Sequence, residues 1–238
     1  MKSIEGIIRR RILINYQVAP QLIEPILPSP FKPKIVKGKA IVGVCLIRLE
    51  NIRPSVLSNL PLGVSSENAA HRVSVEWGVN GKNREGVYIF RRDTNALLNS
   101  LAGGRLFPGV NHYSNFNIHE VDDYISFQLN SKDREVEISL KGKDCENLPD
   151  TSVFTSFDDI STFFKNGADG YSPDRRKSCV QGMCLQTENW NMTPFLVEDL
   201  SLTYFQNKFG IPVDHMQFDS AVIMKNIDHK WEKISSIG

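Results

Sequence analysis

The stretch HRVSVEWGV, residues 71–79, alternates between two kinds of side chain. One face of an extended chain would carry the larger, mostly apolar residues: His71, Val73, Val75, Trp77 and Val79. The other face would carry Arg72, Ser74 and Glu76. A period of two is typical of a β-strand with one buried face. On this pattern Arg72 and Glu76 are predicted to line a polar sheet face in a structural role.

Runs of β-branched and aromatic residues on both sides of this stretch predict further strands. The run KAIVGVCLIRL, residues 39–49, is apolar on both faces, which is typical of a buried strand. Three runs within 112–141 are separated by short polar turns and predict an antiparallel meander. The remaining predicted strands are residues 11–18, 84–92, 179–190, 196–205 and 219–233.

Three short helices are predicted between these strands. One covers the apolar positions of QLIEPIL, residues 21–27, and a second begins at Asp93 or Thr94 and ends at Gly103-Gly104. The third follows Ser156, whose side chain can cap the helix beside Asp159. Many antiparallel strands with about three short helices predict one α+β domain covering residues 1–238, mainly antiparallel β.

Composition excludes some functions. The chain has 238 residues, of which 41% are hydrophobic and 23% charged, and a formal net charge of +1, so it lacks the basic excess of a nucleic-acid-binding protein. No apolar run reaches the roughly 18 residues of a membrane span. The four cysteines and five histidines show no metal-ligand spacing, and Cys45 is interpreted as a small buried hydrophobe. We expect no cofactor, no metal, no membrane partner and a cytoplasmic location.

Several motifs together resemble the uncharacterised bacterial YqjF-like family, and more distantly acetoacetate decarboxylase. They are ILINYQVAPQLIEPILPSPFKP, GVCLIRL, NAAHRVSVEW, GVYIFRRDT, LAGGRLFPGV and FDSAVIMKNIDHKW, in the expected order over nearly the whole chain. The resemblance implies a mostly antiparallel β fold. Its sheets would curve into a cone or barrel around an internal, largely apolar pocket, with helices outside.

The sequence departs from acetoacetate decarboxylase at the reactive position. That family carries an Arg-Glu pair, a short strand and Pro-Lys-Lys, whose first lysine forms a Schiff base with the keto acid. Here Arg84-Glu85 is followed by Phe90, Arg91 and Arg92. A guanidinium stays protonated in proteins and cannot form an imine. Schiff-base acetoacetate decarboxylase activity is therefore predicted to be absent.

An arginine in that position can bind a carboxylate or phosphate. Since neighbouring strand residues point to opposite faces, we expect one of Arg91 and Arg92 to face the pocket and the other to pair with Glu85 or Asp93. The alternative is that both arginines make only structural ion pairs.

Three further residues are candidates for the same site. The resemblance implies that a pocket glutamate falls at Glu67, as acid, base or counter-ion, and that an arginine of the first strand falls near Arg9. Arg48 interrupts the apolar run CLIRL. The alternatives are a solvated loop position for Glu67 and a strand-end position that reaches solvent for Arg48.

The leading hypothesis is a protein that binds a small organic anion in a β-lined pocket, and that could be a lyase-like or hydrolase-like enzyme working without a Schiff base. The alternative is a non-catalytic ligand-sensing or carrier module. A third hypothesis is a pocket filled by side chains, with purely structural arginines. Exposed sheet edges are also compatible with a homo-oligomer.

Overall fold

The computed structural model describes residues 3–57, 63–96, 109–174 and 179–237. These ranges contain the following strands: β1 (Ser3–Val18), β2 (Lys32–Pro33), β3 (Ile35–Val36), β4 (Lys39–Pro54), β5 (Val64–Val79), β6 (Lys82–Thr94), β7 (Asn111–Val121), β8 (Tyr124–Ser131), β9 (Glu137–Asp144), β10 (Asp169–Pro173), β11 (Val180–Gln186), β12 (Thr193–Leu202) and β13 (Met216–Ile237). Three short α-helices accompany them: α1 (Pro20–Ile23), α2 (Phe157–Asn166) and α3 (Tyr204–Phe209). Single 3-10 turns cover Glu24–Ile26, Ser55–Leu57 and Val213–His215.

The strands form one curved sheet that closes on itself along two circuits. The order is β11-β10-β6-β7-β8-β9-β12-β13-β1-β4-β5-β2, with additional pairings β11–β13 and β6–β5. Strands β6, β5, β4, β1 and β13 belong to both circuits and are called the shared sheet below. Pairing is antiparallel except between β6 and β7 and between β6 and β10. The result is a sheet ring rather than a regular barrel, and the predicted fold class is confirmed.

Each face of the shared sheet packs on its own hydrophobic core. The first core lies between the shared sheet and strands β8, β9 and β12, and includes Ile12, Val44, Phe127, Leu140 and Phe205. The second core lies under β11 and α2, and includes Leu13, Cys45, Ile89, Phe163 and Met183. Consecutive residues such as Ile12 and Leu13 enter different cores because side chains alternate along a strand. This explains why the run 39–49 is apolar on both faces.

The observed helices agree only in part with the helices predicted from the sequence. Helix α2 begins after Ser156, whose hydroxyl accepts a 3.1 Å hydrogen bond from the backbone N–H of Asp159, as predicted. Asp93 and Thr94 do not start a helix: both belong to β6 and pair with β5 and β7. The rest of that predicted helix lies outside the described residues. The strand predicted over 196–205 ends at Leu202, and α3 follows it. No helix in the described ranges is long and apolar enough to cross a membrane.

A β-bulge in β6 sets the orientation of the arginine pair. Opposite β5, His71 pairs with Arg91 and Arg72 pairs with Ile89, so Phe90 is the extra residue. Because of the bulge, the consecutive side chains of Phe90 and Arg91 both lie on the sheet face that packs on the first core, called the first-core face below. Arg92 then returns to the second-core face.

Candidate functional site

Three arginines surround a patch of small residues on the second-core face of the shared sheet. Cys45 of β4 pairs with Ala70 of β5, and Ala70 pairs with Arg92 of β6, so the three lie in one cross-strand row. Arg72 is two residues beyond Ala70 on the same face. Arg11 of β1 pairs with Ile47, which is two residues from Cys45. Because paired residues and residues two apart share a face, the arginine side chains converge over Cys45 and Ala70.

The space between these side chains is a cavity of about 100 Å³. Its polar lining includes Arg11, Cys45, Asn68, Arg72, Arg92, Asp93 and Asn111. The carboxylate of Asp93 accepts hydrogen bonds from Arg91 and Ser114. Its apolar lining includes Ile47, Leu49, Val87, Ile89, Met183, Leu185 and Trp231. A β-lined, largely apolar chamber with a few polar groups converging on it has the character of a small-molecule site.

Arg72 is the most deeply buried cation of this cavity, with 2% of its surface exposed. Its Nη2 donates a 2.6 Å hydrogen bond to Oδ1 of Asn15, and its guanidinium lies 4.8 Å from the ring centre of Phe164. Nε and Nη1 are buried and make no hydrogen bond to the described part of the chain. Burial lowers the pKa of Arg72 to about 10, opposed by Cys45 and reinforced by Arg11. A buried cation with unsatisfied donors is unfavourable unless a counter-charge is bound.

Arg92 and Arg11 complete the basic lining. Nη2 of Arg92 donates to Oγ of Ser172 at 3.2 Å, and burial lowers the pKa of Arg92 to about 10, again opposed by Cys45. Nη1 of Arg11 lies 3.7 Å from the sulfur of Met224, and its guanidinium is 5.7 Å from the ring centre of Trp190. The hydrogen bonds and ring contacts of Arg11 and Arg72 within the described ranges are therefore all with neutral groups.

Arg91 lies on the opposite face, where protein carboxylates occupy its donors. It donates to both carboxylate oxygens of Asp93 at 2.8–3.1 Å, to Asp133 at 2.7 Å and to Glu135 at 2.9 Å. Burial lowers the pKa of Arg91, but the hydrogen bonds to Asp93 and Asp133 outweigh it and the net shift is upward. Of the predicted partners the structure shows Asp93. Glu85 instead pairs with Lys34.

Asp93 is the centre of this buried network. It accepts a 2.8 Å hydrogen bond from Ser114, and its Oδ2 lies 3.5 Å from Nε2 of His71. Burial raises the pKa of Asp93, while His71 and Arg91 outweigh that effect and leave it below its ordinary value. Burial lowers the pKa of His71, whose ring lies 4.3 Å from that of Tyr204.

Glu67 also lies on the first-core face, away from the arginine cavity. It accepts a 2.6 Å hydrogen bond from Arg10, which is 1% exposed and also pairs with Glu120. Arg48 lies 3.9 Å from Glu67 and 3.1 Å from Glu50. Burial raises the pKa of Glu67, and the charge of Arg10 opposes it. Glu67 is therefore a partly buried carboxylate in β5, with 12% of its side chain exposed, and not a solvated loop residue.

The arginine beside Glu67 is Arg10, not Arg9. Arg9 has 45% of its side chain exposed and binds Glu50 at 2.6 Å. Arg9 and Arg10 are adjacent in β1 and point to opposite faces of the sheet. An alignment that is wrong by one residue therefore selects the exposed Arg9 in place of the buried Arg10. Of the residues named from the sequence as site candidates, Arg92 lines the cavity, whereas Glu67, Arg91, Arg9 and Arg48 are not among its lining residues.

Sequence reasoning missed Arg11, Arg72 and Cys45. A signal for Arg72 was available: the neighbouring run 39–49 is apolar on both faces, so both faces of the adjoining strand are covered. An arginine on either face of HRVSVEWGV is then buried.

The profile of the DUF2071 family, described as an uncharacterized conserved protein, matches residues 8–219. The chain belongs to the DUF2071 family. No curated protein matches it significantly.

Solved structures with acetoacetate decarboxylase-like folds are similar to this DUF2071 chain. Acetoacetate decarboxylase from Legionella pneumophila subsp. pneumophila str. Philadelphia 1 aligns with a TM-score of 0.62 at 12% identity, covering 98% of this chain and 87% of that one. An acetoacetate decarboxylase-like enzyme from Sphingomonas wittichii RW1 aligns with a TM-score of 0.55 at 10% identity, covering 99% of this chain and 91% of that one.

A third structure is the enduracididine biosynthesis enzyme MppR, complexed with the condensation product of pyruvate and imidazole 4-carboxaldehyde. It aligns with a TM-score of 0.52 at 11% identity, covering 98% of this chain and 87% of that one. At these identities the alignments show the fold alone, and they confirm the predicted acetoacetate decarboxylase-like resemblance.

Proposed function

We propose that this DUF2071 protein binds a small carboxylate in the cavity formed by Arg11, Arg72 and Arg92. The observation that carries the proposal is Arg72: a buried guanidinium that lines a cavity with two nitrogens left without hydrogen bonds by the described chain. A carboxylate would supply both the missing acceptors and the counter-charge, and guanidinium–carboxylate hydrogen bonds are strong because both groups are charged.

The size of the cavity favours a ligand of a few non-hydrogen atoms. Its volume of about 100 Å³ is below the roughly 300 Å³ at which drug-sized sites begin. MppR, which shares the fold, is complexed with a product formed from pyruvate. Short 2-oxo and 3-oxo acids such as pyruvate and acetoacetate are therefore the first ligands to test.

The proposed chemistry does not pass through an imine. None of the described lining residues is a lysine, and the cationic nitrogens in the cavity belong to arginines. Guanidinium groups hold a carboxylate without attacking it. The carboxylate of Glu67 is bound by Arg10 on the other face of the sheet, so we do not propose Glu67 as the acid or base for a ligand in this cavity.

Isothermal titration with pyruvate and acetoacetate tests the proposal, with methyl pyruvate as the uncharged analogue. We expect the acids to bind and the ester to bind at least about tenfold more weakly, a difference of about 1.4 kcal/mol. A bound acid at 100 times its dissociation constant should also raise the free energy of unfolding by about 2.7 kcal/mol.

Arg72→Met and Arg92→Met should each weaken binding of the acids about tenfold or more, since each removes a charged donor from the cavity. Lys141→Met is the control, because it removes one exposed positive charge far from the lining residues and should leave the dissociation constant unchanged. Equal affinity in Arg72→Met and wild type, or no carboxylate binding by wild type, would contradict the proposal.

A further inference from the structure

The arginine cavity also contains a thiol that the binding function does not use. Cys45 is 8% exposed and lines the cavity in the same cross-strand row as Arg92, with only the methyl side chain of Ala70 between them. Gly43, two residues from Cys45, pairs with Arg72, so a residue without a side chain stands opposite that guanidinium. The thiol therefore shares one small chamber with two guanidinium groups.

This environment differs from that of other cysteines in the chain. Cys45 lines the cavity together with the guanidinium groups of Arg11, Arg72 and Arg92. For Cys184, burial and then Asp169 raise the pKa to about 12. For Cys145, burial and the charge of Asp144 raise the pKa. Reactive cysteines occur beside cations, because the nucleophile is the thiolate.

We propose that Cys45 is a nucleophile that adds to the carbonyl carbon of a 2-oxo carboxylate bound in this cavity. The inference rests on the proposed function, because the arginines must first hold the carboxylate. Arg72 supplies the independent reason to expect such a ligand beside the thiol: it is buried, lines the same cavity and has two nitrogens without hydrogen bonds to the described chain.

The step is a simple addition. The sulfur of Cys45 forms a bond to the carbonyl carbon, and the electron pair of the C=O π bond moves to the oxygen. The proton lost by the thiol ends on that oxygen, which gives a neutral hydroxyl and a tetrahedral thiohemiketal carbon, with no further reactant. Guanidinium groups in a buried site stabilise both the carboxylate and the developing oxyanion. A thiol would then take the nucleophilic part that a lysine has in acetoacetate decarboxylase.

The adduct can be observed directly by NMR. Pyruvate labelled with ¹³C at C2 is added to the wild type, to Cys45→Ser and to Cys45→Ala. We expect a protein-bound tetrahedral carbon signal in the wild type alone, while both variants still bind pyruvate in calorimetry. Binding by all three proteins with no tetrahedral carbon in the wild type would overturn the inference and leave the proposed function standing. Absence of pyruvate binding in all three would overturn both.

Alkylation gives a second readout that does not need the adduct to accumulate. Iodoacetate and iodoacetamide both alkylate sulfur with loss of iodide, but only the first carries a carboxylate. We expect the ratio of the iodoacetate rate to the iodoacetamide rate to be about tenfold higher at Cys45 than at Cys145, Cys179 and Cys184, a difference of about 1.4 kcal/mol in activation free energy. Peptide mapping assigns each site.

Arg72→Met should lower this ratio at Cys45 to that of the other three cysteines, and pyruvate should slow the reaction of wild type with iodoacetate. Equal ratios at all four cysteines in the native wild type would overturn the inference.

Discussion

Arg91 and Arg92 are consecutive in β6, and their guanidinium groups lie on opposite faces of the shared sheet. Arg91 is bound by Asp93, Asp133 and Glu135, whereas Arg92 contacts Ser172 and lines the cavity. Protein carboxylates thus surround one arginine, and the other lines the cavity in which we propose that a carboxylate binds. Strand alternation separates two residues that look equivalent in the sequence.

The buried pair Arg91–Asp93 gives the first prediction. Asp93→Asn should lower the free energy of unfolding at pH 7 by about 1.5–3 kcal/mol, because Arg91 loses a charged hydrogen-bond acceptor while Asp133 and Glu135 still bind it. The folded-state pKa of Asp93 lies below its ordinary value, so its contribution to stability is present above about pH 4 and is lost as the pH falls through the folded pKa. The difference in the free energy of unfolding between wild type and Asp93→Asn should therefore be smaller at pH 3 than at pH 7.

Urea unfolding of both proteins at pH 7 and pH 3 measures this deficit. Asp150→Asn, which changes an exposed carboxylate, is the control and should show little change at either pH. A deficit of Asp93→Asn that is the same at both pH values would show that the charge of Asp93 is not what stabilises the fold.

Much of this fold was predictable because the strands carry strong local signals. The alternation in HRVSVEWGV and the double-faced apolar run at 39–49 reflect the burial of each side chain along a strand. The end of β6 was not predictable in the same way. Asp93 and Thr94 resemble helix caps, but pairing with β5 and β7 holds them in the sheet, and such pairing depends on distant residues.

Arg10 and Arg9 give the second prediction. Arg10→Met should lower the free energy of unfolding by about 3–5 kcal/mol, because Glu67, with only 12% of its side chain exposed, loses its 2.6 Å partner. Arg9→Met should have a much smaller effect, since Arg9 is exposed and its pair with Glu50 is screened by water. Thermal and urea unfolding of the two variants compare them directly.

The double variant Arg10→Met, Glu67→Gln serves as the control, because it also removes the charge left behind. It should recover part of the stability lost in Arg10→Met. A larger loss in Arg9→Met than in Arg10→Met would mean that the register of β1 is not the one described.

The third prediction concerns Gly43 of β4, which pairs with Asn15 of β1 and with Arg72 of β5. A Cβ at this position would lie 1.9 Å from the carbonyl oxygen of Ile14, so the two strands would have to separate. We expect Gly43→Ala to lower the free energy of unfolding by about 1–3 kcal/mol, and to weaken carboxylate binding because the cavity wall moves. Gly78→Ala is the matched control, since a Cβ there meets nothing within 4 Å.

The site was less predictable than the fold. The basic residues were visible in the sequence, but which of them share a face depends on the bulge at Phe90 and on the one-residue register of β1. Residues Arg11, Cys45 and Arg72 are distant in the chain and meet only through strand pairing. The sequence does not show which of these side chains converge, because shifting one strand by one residue would bring a different set of side chains onto the same face.

The last prediction separates anion binding by arginine from imine chemistry. Burial lowers the pKa values of Arg72 and Arg92 to about 10, which is still well above neutral, so both are cations from pH 6 to pH 9. The dissociation constant for pyruvate should therefore be constant between pH 6 and pH 9. Acetoacetate with borohydride should leave no reduced adduct on residues 84–95, since a guanidinium forms no imine. Intact-mass measurement and peptide mapping check the adduct, and titration calorimetry across the pH range checks the binding. A borohydride-dependent mass increase within 84–95, or affinity that changes steadily between pH 6 and pH 9, would point to a neutral amine instead of the guanidinium groups.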